Sequence, residues 1–160
     1  MTSPDVPVSD QEHRPLVEAP AVVGVDQPFD ADGLYALRAT LAAHAVRLGL
    51  TEETAEHLLI VASELATNAI RHGGGAGRLR LWRTASTLYC QVSDHGPGIA
   101  DPNAGGTPPA RPDNGGHGLW ICRRLCDDLT IAGAGGDDHG AIVTAVLRLT
   151  DRPAPPGDGD

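Results

Sequence analysis

The chain has 160 residues, a formal net charge of −9 and a sequence pI near 5.1, which argues against the clustered positive charge of a nucleic-acid-binding protein. Hydrophobic residues make up 41% of the chain, enough for the core of one domain, but aromatic residues make up only 3%, so aliphatic side chains must build that core. All 12 basic residues are Arg, and the absence of Lys excludes a P-loop, which needs a lysine against the phosphates.

The N-terminal residues 1–20 are expected to form a disordered tail, because Pro, Asp, Ser and Glu follow one another there without hydrophobic periodicity. This segment has neither the basic start nor the apolar stretch of a signal peptide. No apolar run in the chain reaches the length of a membrane span, and the 3 cysteines cannot all pair within one chain. These features predict a cytoplasmic protein that does not enter a membrane.

A strand and a helix are predicted after this tail. Residues 21–29 are a candidate first strand, and Asp30 or Asp32 is predicted to cap the helix that follows. This helix is predicted to run to about Leu48, where Gly49 ends it. Its apolar positions recur at helical spacing and comprise Leu34, Leu37, Leu41 and Ala45.

A second helix is predicted from Thr51, which caps its first turn, to the glycines that begin at Gly73. Its apolar stripe comprises Leu58, Ala62, Leu65 and Ala69. Glu64 and Asn68 flank that stripe at a spacing of one helical turn, so their side chains project from the same face of the helix.

The middle of the chain is predicted to contain two strands and a long loop. Residues 78–83 alternate between Arg and apolar side chains, as expected for a half-buried strand, and residues 87–93 form a second candidate strand. Residues 97–116 are rich in Pro, Gly and small polar residues, which disfavour a helix or strand. We expect this segment to be a mobile loop that covers the site as a lid.

The last predicted elements are a helix over residues 118–128 and strands over residues 130–134 and 141–149, followed by a disordered tail over residues 151–160. About three helices and about five strands joined by short connections predict a two-layer α+β sandwich with a mixed, mostly antiparallel sheet. The predicted domain spans residues 21–150.

Three short segments carry residues that are suited to binding a nucleotide. They are ELATNAIRHG at residues 64–73, DHGPGI at residues 94–99 and GGHGLWICRRL at residues 115–125. Asp94 ends a strand and is followed by Gly96 and Gly98, which let the backbone approach a ligand closely. Gly116 and Gly118 precede a helix, whose N-terminus offers free N–H groups and a positive dipole end to phosphate.

In this order, the three segments resemble the N, G1 and G2 boxes of the GHKL ATPases, the class of gyrase, heat-shock protein 90, histidine kinases and mismatch-repair proteins. The resemblance covers residues 30–149, and the segment GHGLWICRRLCDDL is similar to the small anti-sigma-factor serine kinases. It implies the Bergerat ATPase fold, with ATP and Mg²⁺ as cofactors.

The resemblance implies specific roles for three polar residues. Asn68 would hold Mg²⁺ with its amide oxygen, a hard ligand that suits this ion. Glu64 would be the catalytic base for a nucleophile that attacks the γ-phosphate, either water or a serine hydroxyl of a partner protein. Asp94 would accept a hydrogen bond from the exocyclic amine of adenine, which selects ATP over GTP. Outside these motifs, each residue type is more often an ordinary surface or turn residue.

The other candidate nucleotide contacts also belong to the three boxes. They are Arg71, His72, Gly96, Gly98, Ile99, Gly116, His117, Gly118 and Leu119. Arg71 is equally compatible with a phosphate or partner contact and with a surface salt bridge, whereas His72 is also compatible with a cap at the helix C-terminus. His117 is compatible with a phosphate contact or with a solvent-facing loop position.

Two features depart from the family pattern. A Gly-Thr pair often opens the last strand of the family, and its threonine contacts the base through water, whereas this chain has Gly140 and Ala141 there. The missing hydroxyl predicts weaker ATP binding, and Thr144, further along the strand, is not assigned this role. The predicted lid contains one basic residue, Arg111, and therefore no evident sensor of the γ-phosphate.

The cysteines suggest an alternative that involves a metal. Cys122 and Cys126 lie at helical spacing, and together with Cys90 or His117 they are compatible with a zinc site. The favoured interpretation is that Cys122 and Cys126 are small apolar residues on the buried face of a helix. The chain has neither a redox Cys-x-x-Cys pair nor a Ser/His/Asp elbow.

Three functions are compatible with these motifs. The resemblance favours an ATP-dependent protein serine/threonine kinase that binds a sigma factor and phosphorylates an anti-sigma-factor antagonist in a partner switch that controls transcription, and it implies a homodimer. The second is an ATP- or ADP-sensing interaction module without turnover, which the missing threonine favours and the pairing of Glu64 with Asn68 disfavours. The third is a trans-acting histidine-kinase catalytic domain, ranked last because the sequence shows no helical domain with a phosphoacceptor His.

Overall fold

The computed structural model describes residues 22–109, 117–133 and 140–149 of the chain. In these ranges, three helices cover one face of a five-stranded antiparallel sheet, which is the α+β sandwich predicted from the sequence. The strands are β1 (Val22–Asp30), β2 (Ala76–Arg83), β3 (Thr87–Asp94), β4 (Asp128–Ala132) and β5 (Ile142–Arg148). The helices are α1 (Leu34–Arg47), α2 (Glu52–His72) and α3 (His117–Leu125). Both predicted tails, and residues 110–116 of the predicted loop, lie outside the described ranges.

The strand order is β1-β2-β3-β5-β4, and each neighbouring pair in the described sheet is antiparallel. After β3 the chain passes through α3 to β4 at the edge of the sheet, and then returns to place β5 between β3 and β4. This order brings the end of β3 next to the start of β5, with Val92 opposite Val143 and Ser93 opposite Ile142. Asp94, the last residue of β3, therefore lies where two central strands meet.

The core is aliphatic, as the composition predicts, and α2 lies at its centre. Alternate residues of the three central strands face the helices and are buried: Leu79, Leu81, Leu88, Cys90, Val92, Val143, Ala145 and Leu147. The buried stripe of α2 comprises Leu58, Val61, Ala62, Leu65, Ala66 and Ala69. Because α2 contacts both other helices and three of the strands, the side chains that flank its stripe lie beside the other elements of the fold.

The predicted end of α1 and both predicted ends of α2, at Thr51 and Gly73, are confirmed, whereas the predicted start of α1 is wrong. Thr51 caps α2, because its hydroxyl oxygen accepts a hydrogen bond from the backbone N–H of Thr54 at 3.2 Å. Gly49 follows α1 with a φ of 70°. Neither Asp30 nor Asp32 caps α1. The strand β1 extends through Asp30, whose Oδ1 accepts from Gly33 N at 2.9 Å in the turn that separates strand from helix. Gly33 is the N-cap residue of α1.

The third helix is shorter than predicted. It ends at Leu125 instead of residue 128, because the chain there already pairs with β5: Asp127 N donates to the Val146 carbonyl oxygen at 2.8 Å, and Asp128 lies opposite Val146. The strand β4 consequently begins and ends two residues earlier than predicted. Among the helices of the described ranges, none has both the length and the apolar composition of a membrane-spanning segment.

Candidate functional site

A cavity of about 310 Å³ opens between α2, the adjacent ends of β3 and β5, the loop after β3 and the first turn of α3. Its walls are formed by Leu65, Asn68, Ala69, His72, Val92, Asp94, Gly98, Ile99, Leu119, Ala141 and Val143. All three sequence motifs contribute to these walls. Six of the residues predicted from the sequence thus share one cavity, namely Asn68, His72, Asp94, Gly98, Ile99 and Leu119.

Backbone groups fix the carboxylate of Asp94 on the wall of this cavity. Its Oδ1 accepts hydrogen bonds from Gly96 N at 3.0 Å and from Ala141 N at 3.1 Å. The backbone N–H of Asp94 donates to the Ala141 carbonyl oxygen at 3.0 Å, which ties the end of β3 to the start of β5. No hydrogen bond from the described residues reaches Oδ2, so this oxygen is available to a donor on a ligand.

Three glycines leave room for the Asp94 side chain. A Cβ atom on Gly73, which follows α2, or on Gly140, which precedes β5, would overlap the Asp94 side chain. A Cβ atom on Gly96 would lie 2.5 Å from the Cα atom of Gly73. Three backbone segments therefore approach one carboxylate more closely than any other residue type would allow.

The apolar walls of the cavity follow only in part from the motifs. The first motif contributes Leu65 and Ala69, whereas Val92, Ala141 and Val143 lie outside all three motifs. A flat aromatic base needs apolar surfaces of this kind. The available signal is the alternation of apolar residues along the two strands, because it places Val92 and Val143 on the face that the helices cover.

Glu64 and Asn68 lie one turn apart on α2 and meet the first turn of α3. Both side chains are half-buried. A Cβ atom on Gly118 would lie 2.9 Å from Glu64 Oε2 and 3.4 Å from Asn68 Oδ1, so glycine allows α3 to begin close to both groups. The N-terminus of a helix attracts anions, and this arrangement therefore suits the phosphate end of a nucleotide.

The surroundings of Asn68 fit a magnesium ion that is held mostly by phosphate and water. Asn68 lines the cavity and offers one amide oxygen, and Mg²⁺ is commonly bound through only one or two protein oxygens. Within the described ranges, no group of three or more His, Cys, Asp and Glu side chains could bind a metal by itself. A magnesium ion in this cavity would therefore depend on the phosphates of the nucleotide.

Cys122 occupies a core position, in agreement with the favoured interpretation, whereas Cys126 is half-buried and packs against the core. Cys90 and Cys122 are both fully buried, and Cys122 Sγ donates to the Val61 carbonyl oxygen at 3.7 Å. Burial raises the pKa of the Cys90 thiol to about 12 and also raises the pKa of the Cys122 thiol. Zinc binds the thiolate form, which these two thiols resist.

The other predicted contacts differ in their surroundings. Arg71 is exposed and is not part of the cavity wall, so its role as a nucleotide contact stays a prediction. His117 begins α3, and its Nε2 atom is buried without a hydrogen-bond partner among the described residues, which is unlike a solvent-facing loop position. Gly116 lies outside the described residues, and its role stays a prediction.

The loop after β3 is attached to α3 over part of its length. Residues 97–109 contain neither helix nor strand, as predicted. Arg123 of α3 donates hydrogen bonds to the carbonyl oxygens of Pro102 at 2.9 Å and Ala104 at 2.8 Å, and to that of Leu129 at 3.3 Å. This portion of the predicted lid is therefore an ordered turn held by a helix.

The position of the missing threonine lies on the cavity wall. Ala141 is only 2% exposed, and a hydroxyl in its place would enter the site. Thr144 lies on the opposite face of the sheet, where its hydroxyl accepts a hydrogen bond from Gln91 Nε2 at 3.1 Å. Thr144 therefore cannot supply the missing group.

The family of histidine kinase-like ATPase domains matches residues 28–147, about three quarters of the chain. No functionally curated protein gives a significant match. The matched range contains all three motifs, every residue that lines the cavity, the strands β2, β3 and β4, almost all of β5 and the end of β1. The chain therefore belongs to the family of histidine kinase-like ATPase domains, and is an ATP-binding, kinase-like protein.

Proposed function

We propose that this protein is an ATP-dependent protein serine/threonine kinase that acts as an anti-sigma regulatory factor. The observation that carries the kinase proposal is the convergence of Glu64 and Asn68 on Gly118, at the edge of a cavity whose wall holds Asp94. A carboxylate base, an amide oxygen for a metal and a helix N-terminus then lie at the phosphate end of an adenine site.

In this mechanism, Asp94 Oδ2 accepts a hydrogen bond from the exocyclic amine of adenine, and the apolar walls of the cavity contact the adenine ring. Magnesium, bound by Asn68 and the phosphates, would neutralise charge on the transferring group. Glu64 takes the proton from the serine or threonine hydroxyl of the substrate protein. The hydroxyl oxygen then bonds to the γ-phosphorus of ATP, while the bond between this phosphorus and the oxygen that links it to the β-phosphate breaks. The products are ADP and a phosphorylated protein, with the proton on the Glu64 carboxylate.

The partners in this proposal follow from the resemblance of the three motifs to the anti-sigma-factor kinases. In this proposal the protein binds a sigma factor in one complex and phosphorylates an antagonist protein in another. The unphosphorylated antagonist displaces the sigma factor, so kinase activity determines when the sigma factor is released to start transcription.

A phosphate-transfer assay with two glutamate variants tests the proposal. Partners that co-purify with the tagged protein from its host would be incubated with radiolabelled Mg-ATP. Glu64→Ala should retain ATP binding but lose transfer by at least about a hundredfold, because it lacks the base. Glu56→Ala, which removes an exposed carboxylate from the same helix, should transfer phosphate like the wild type. Equal transfer by wild type and Glu64→Ala would remove Glu64 from the mechanism.

The second candidate is a nucleotide-sensing module without turnover, and it is favoured by the apolar wall at Ala141, where the family often has a hydroxyl. In this case no phosphorylated partner forms with the wild type, yet ATP and ADP change the affinity for a partner. Partner binding measured with each nucleotide separates the two functions. If neither nucleotide changes any complex, the sensor function fails.

A further inference from the structure

The described helices cover one face of the sheet, and the opposite face carries a row of apolar side chains. The residues of the described strands that point to this opposite face are all exposed or half-buried. Strand pairing aligns four of them, one from each of four strands, which we name the aromatic row: Val23, Trp82, Tyr89 and Val146. Val23 is 60% exposed at one end of the row, and Asp128 of β4 lies opposite Val146 at the other end.

The two aromatic rings of the row pack against each other outside the core. The rings of Trp82 and Tyr89 are stacked, with their centres 5.2 Å apart and their planes at 6° to each other, and both side chains are half-buried. The guanidinium of Arg80 lies 5.9 Å from the centre of the Trp82 ring. A groove of about 340 Å³ is lined by Val23, Arg80, Trp82 and Gln91. In a chain with only 3% aromatic residues, stacked rings outside the core form a surface that suits a ligand.

Grooves lined by aromatic rings bind polyproline segments, which lose little entropy on binding because they are already extended. The chain itself contains such a segment. Residues 150–160 follow Leu149, the last described residue, and their sequence is TDRPAPPGDGD. The prolines of this segment are Pro153, Pro155 and Pro156. They lie between Arg152 and Asp158, whereas the prolines of residues 1–20 are spread singly along that segment.

The proline segment begins close enough to the aromatic row to reach it. Leu149 N donates to the Ser86 carbonyl oxygen at 2.7 Å, which fixes the end of β5 beside the turn between β2 and β3. A rise of about 3.3 Å per residue places Leu149 about 10 Å along the strand from Val146. Residues 150–153 span up to about 13 Å, so Pro153 can return to the row.

The length and the charges of the segment also match the row. The positions from Asp128 to Val23 extend over about 19 Å at about 4.8 Å per strand. A polyproline II helix from Arg152 to Asp158 also extends over about 19 Å, at about 3.1 Å per residue. A segment that starts above β5 sets Arg152 near Asp128, and Asp158 near Arg80. Both pairs join opposite charges, whereas the reverse direction would bring like charges together.

Arg80 is available for a carboxylate of the segment. Its side chain is 52% exposed. The neighbouring Asp26 accepts a hydrogen bond from Arg78 Nε at 2.6 Å, but its second oxygen lies 3.8 Å from Arg80 Nε, too far for a hydrogen bond. The guanidinium of Arg80 can therefore bind a further acidic group beside the Trp82 ring.

We propose that residues 152–158 bind to the aromatic row of their own chain as a polyproline II helix, with the prolines against Trp82 and Tyr89. Composition predicts a disordered tail over residues 151–160, and this contact would order its central part. The short connection to β5 raises the local concentration of the segment, so a weak contact is sufficient. The proposal is independent of the proposed kinase activity, because the row and the cavity lie on opposite faces of the sheet.

Acrylamide quenching of Trp82 fluorescence tests the proposal in the full chain. Trp120→Phe leaves Trp82 as the sole tryptophan. Replacement of the three prolines of the segment by Ser should raise the Stern–Volmer constant of Trp82 at least about twofold, because the ring loses its cover. The protection should not vary with protein concentration, since the contact is intramolecular. Removal of residues 1–20 is the control and should leave the constant unchanged.

A disulfide test locates the segment on the sheet. In a Cys126→Ser background, Gly159→Cys is combined either with Val23→Cys, at the far end of the row, or with Thr130→Cys, an exposed position on β4. Both positions lie about 17 Å from Leu149 along the sheet, so a segment without a preferred position would link to them equally. The disulfide to Val23→Cys should form at least about tenfold faster than the disulfide to Thr130→Cys.

The proposal is overturned if the serine replacements leave the quenching of Trp82 unchanged, or if the two disulfides form at the same rate. Protection that is lost with residues 1–20 would assign the aromatic row to the N-terminal segment. Protection that grows with protein concentration would assign it to a second copy of the chain. Either of these results also overturns the proposal.

Discussion

Asp94 is held in place before any ligand arrives. Two backbone N–H groups donate to its Oδ1, whereas no donor among the described residues reaches Oδ2. The carboxylate is therefore already oriented before a ligand binds. A nucleotide amine that reaches Oδ2 forms a hydrogen bond to a charged acceptor, worth about 1.5–3 kcal/mol. Selectivity for adenine is therefore expected to depend on how accurately the surrounding backbone fixes this one carboxylate.

Replacement of Gly140 tests whether ATP binding depends on the backbone that surrounds the Asp94 carboxylate. Gly140→Ala should weaken ATP binding by at least about tenfold and destabilise the fold by about 1–3 kcal/mol, because its Cβ would overlap the Asp94 side chain. Calorimetric titration and thermal unfolding measure the two effects. Gly33→Ala is the control for the affinity, since a Cβ there lies 3.4 Å from its nearest neighbour, and this variant should bind ATP like the wild type. Unchanged ATP affinity in Gly140→Ala would contradict the role assigned to this glycine.

The buried cysteines predict a pH dependence of stability. The pKa of Cys90 rises from 9.0 to about 12 in the folded protein because burial disfavours its thiolate. The unfolded chain therefore loses this proton first, and the free energy of unfolding should fall as the pH rises from 9.0 towards about 12. Urea unfolding at several pH values measures this fall, which should be smaller in Cys90→Ala. A variant with the same slope as the wild type would exclude Cys90 as a cause.

At the scale of elements, Arg123 connects α3, the loop after β3 and β4. Gly105, in the same turn, has a φ of 79°, and a Cβ there would lie 2.6 Å from Leu119, which lines the cavity. The turn therefore packs directly on the part of α3 that faces the cavity. Displacement of this turn is expected to disturb Leu119 and the cavity.

Loss of the Arg123 side chain should release this turn. Arg123→Ala removes hydrogen bonds to three carbonyl oxygens, and we expect faster proteolysis within residues 101–106 together with ATP binding weakened several-fold. Arg124→Ala is the matched control. It removes a neighbouring arginine of the same helix whose guanidinium packs against a ring of α3, 5.1 Å from the centre of Trp120. Limited proteolysis and calorimetry distinguish the two variants. Identical cleavage patterns would show that Arg123 does not hold the loop.

The boundaries of elements were predictable where local chemistry decides them. Thr51 and Gly49 act through their own side chain and backbone, and both were placed correctly from the sequence. The start of α1 and the end of α3 were misplaced because strands compete for the same residues. Asp30 still belongs to β1 and lies opposite Ala76 of β2, and Asp128 already lies opposite Val146 of β5. Pairing between strands that are distant in the sequence cannot be predicted from a local sequence pattern.

At the scale of the whole molecule, the fold class and the polar half of the site followed from the motifs. Asn68 and Asp94 share the cavity as expected, because helical spacing and the glycines after β3 place them. The apolar half did not follow, since Val92 and Val143 meet only through the strand order that puts β5 beside β3. That order depends on packing across the entire sheet.

The central claim is that the cavity around Asp94 binds adenine nucleotides, and calorimetric titration of Mg-ATP and Mg-GTP tests it most directly. Asp94→Asn is the informative variant: an amide oxygen can still accept from Gly96 and Ala141, but the amide nitrogen that replaces Oδ2 would face the donor of adenine. We predict saturable binding of ATP by the wild type, none of GTP, and loss of ATP binding in a folded Asp94→Asn protein. Equal binding of both nucleotides, or ATP binding that survives in Asp94→Asn, would contradict the account.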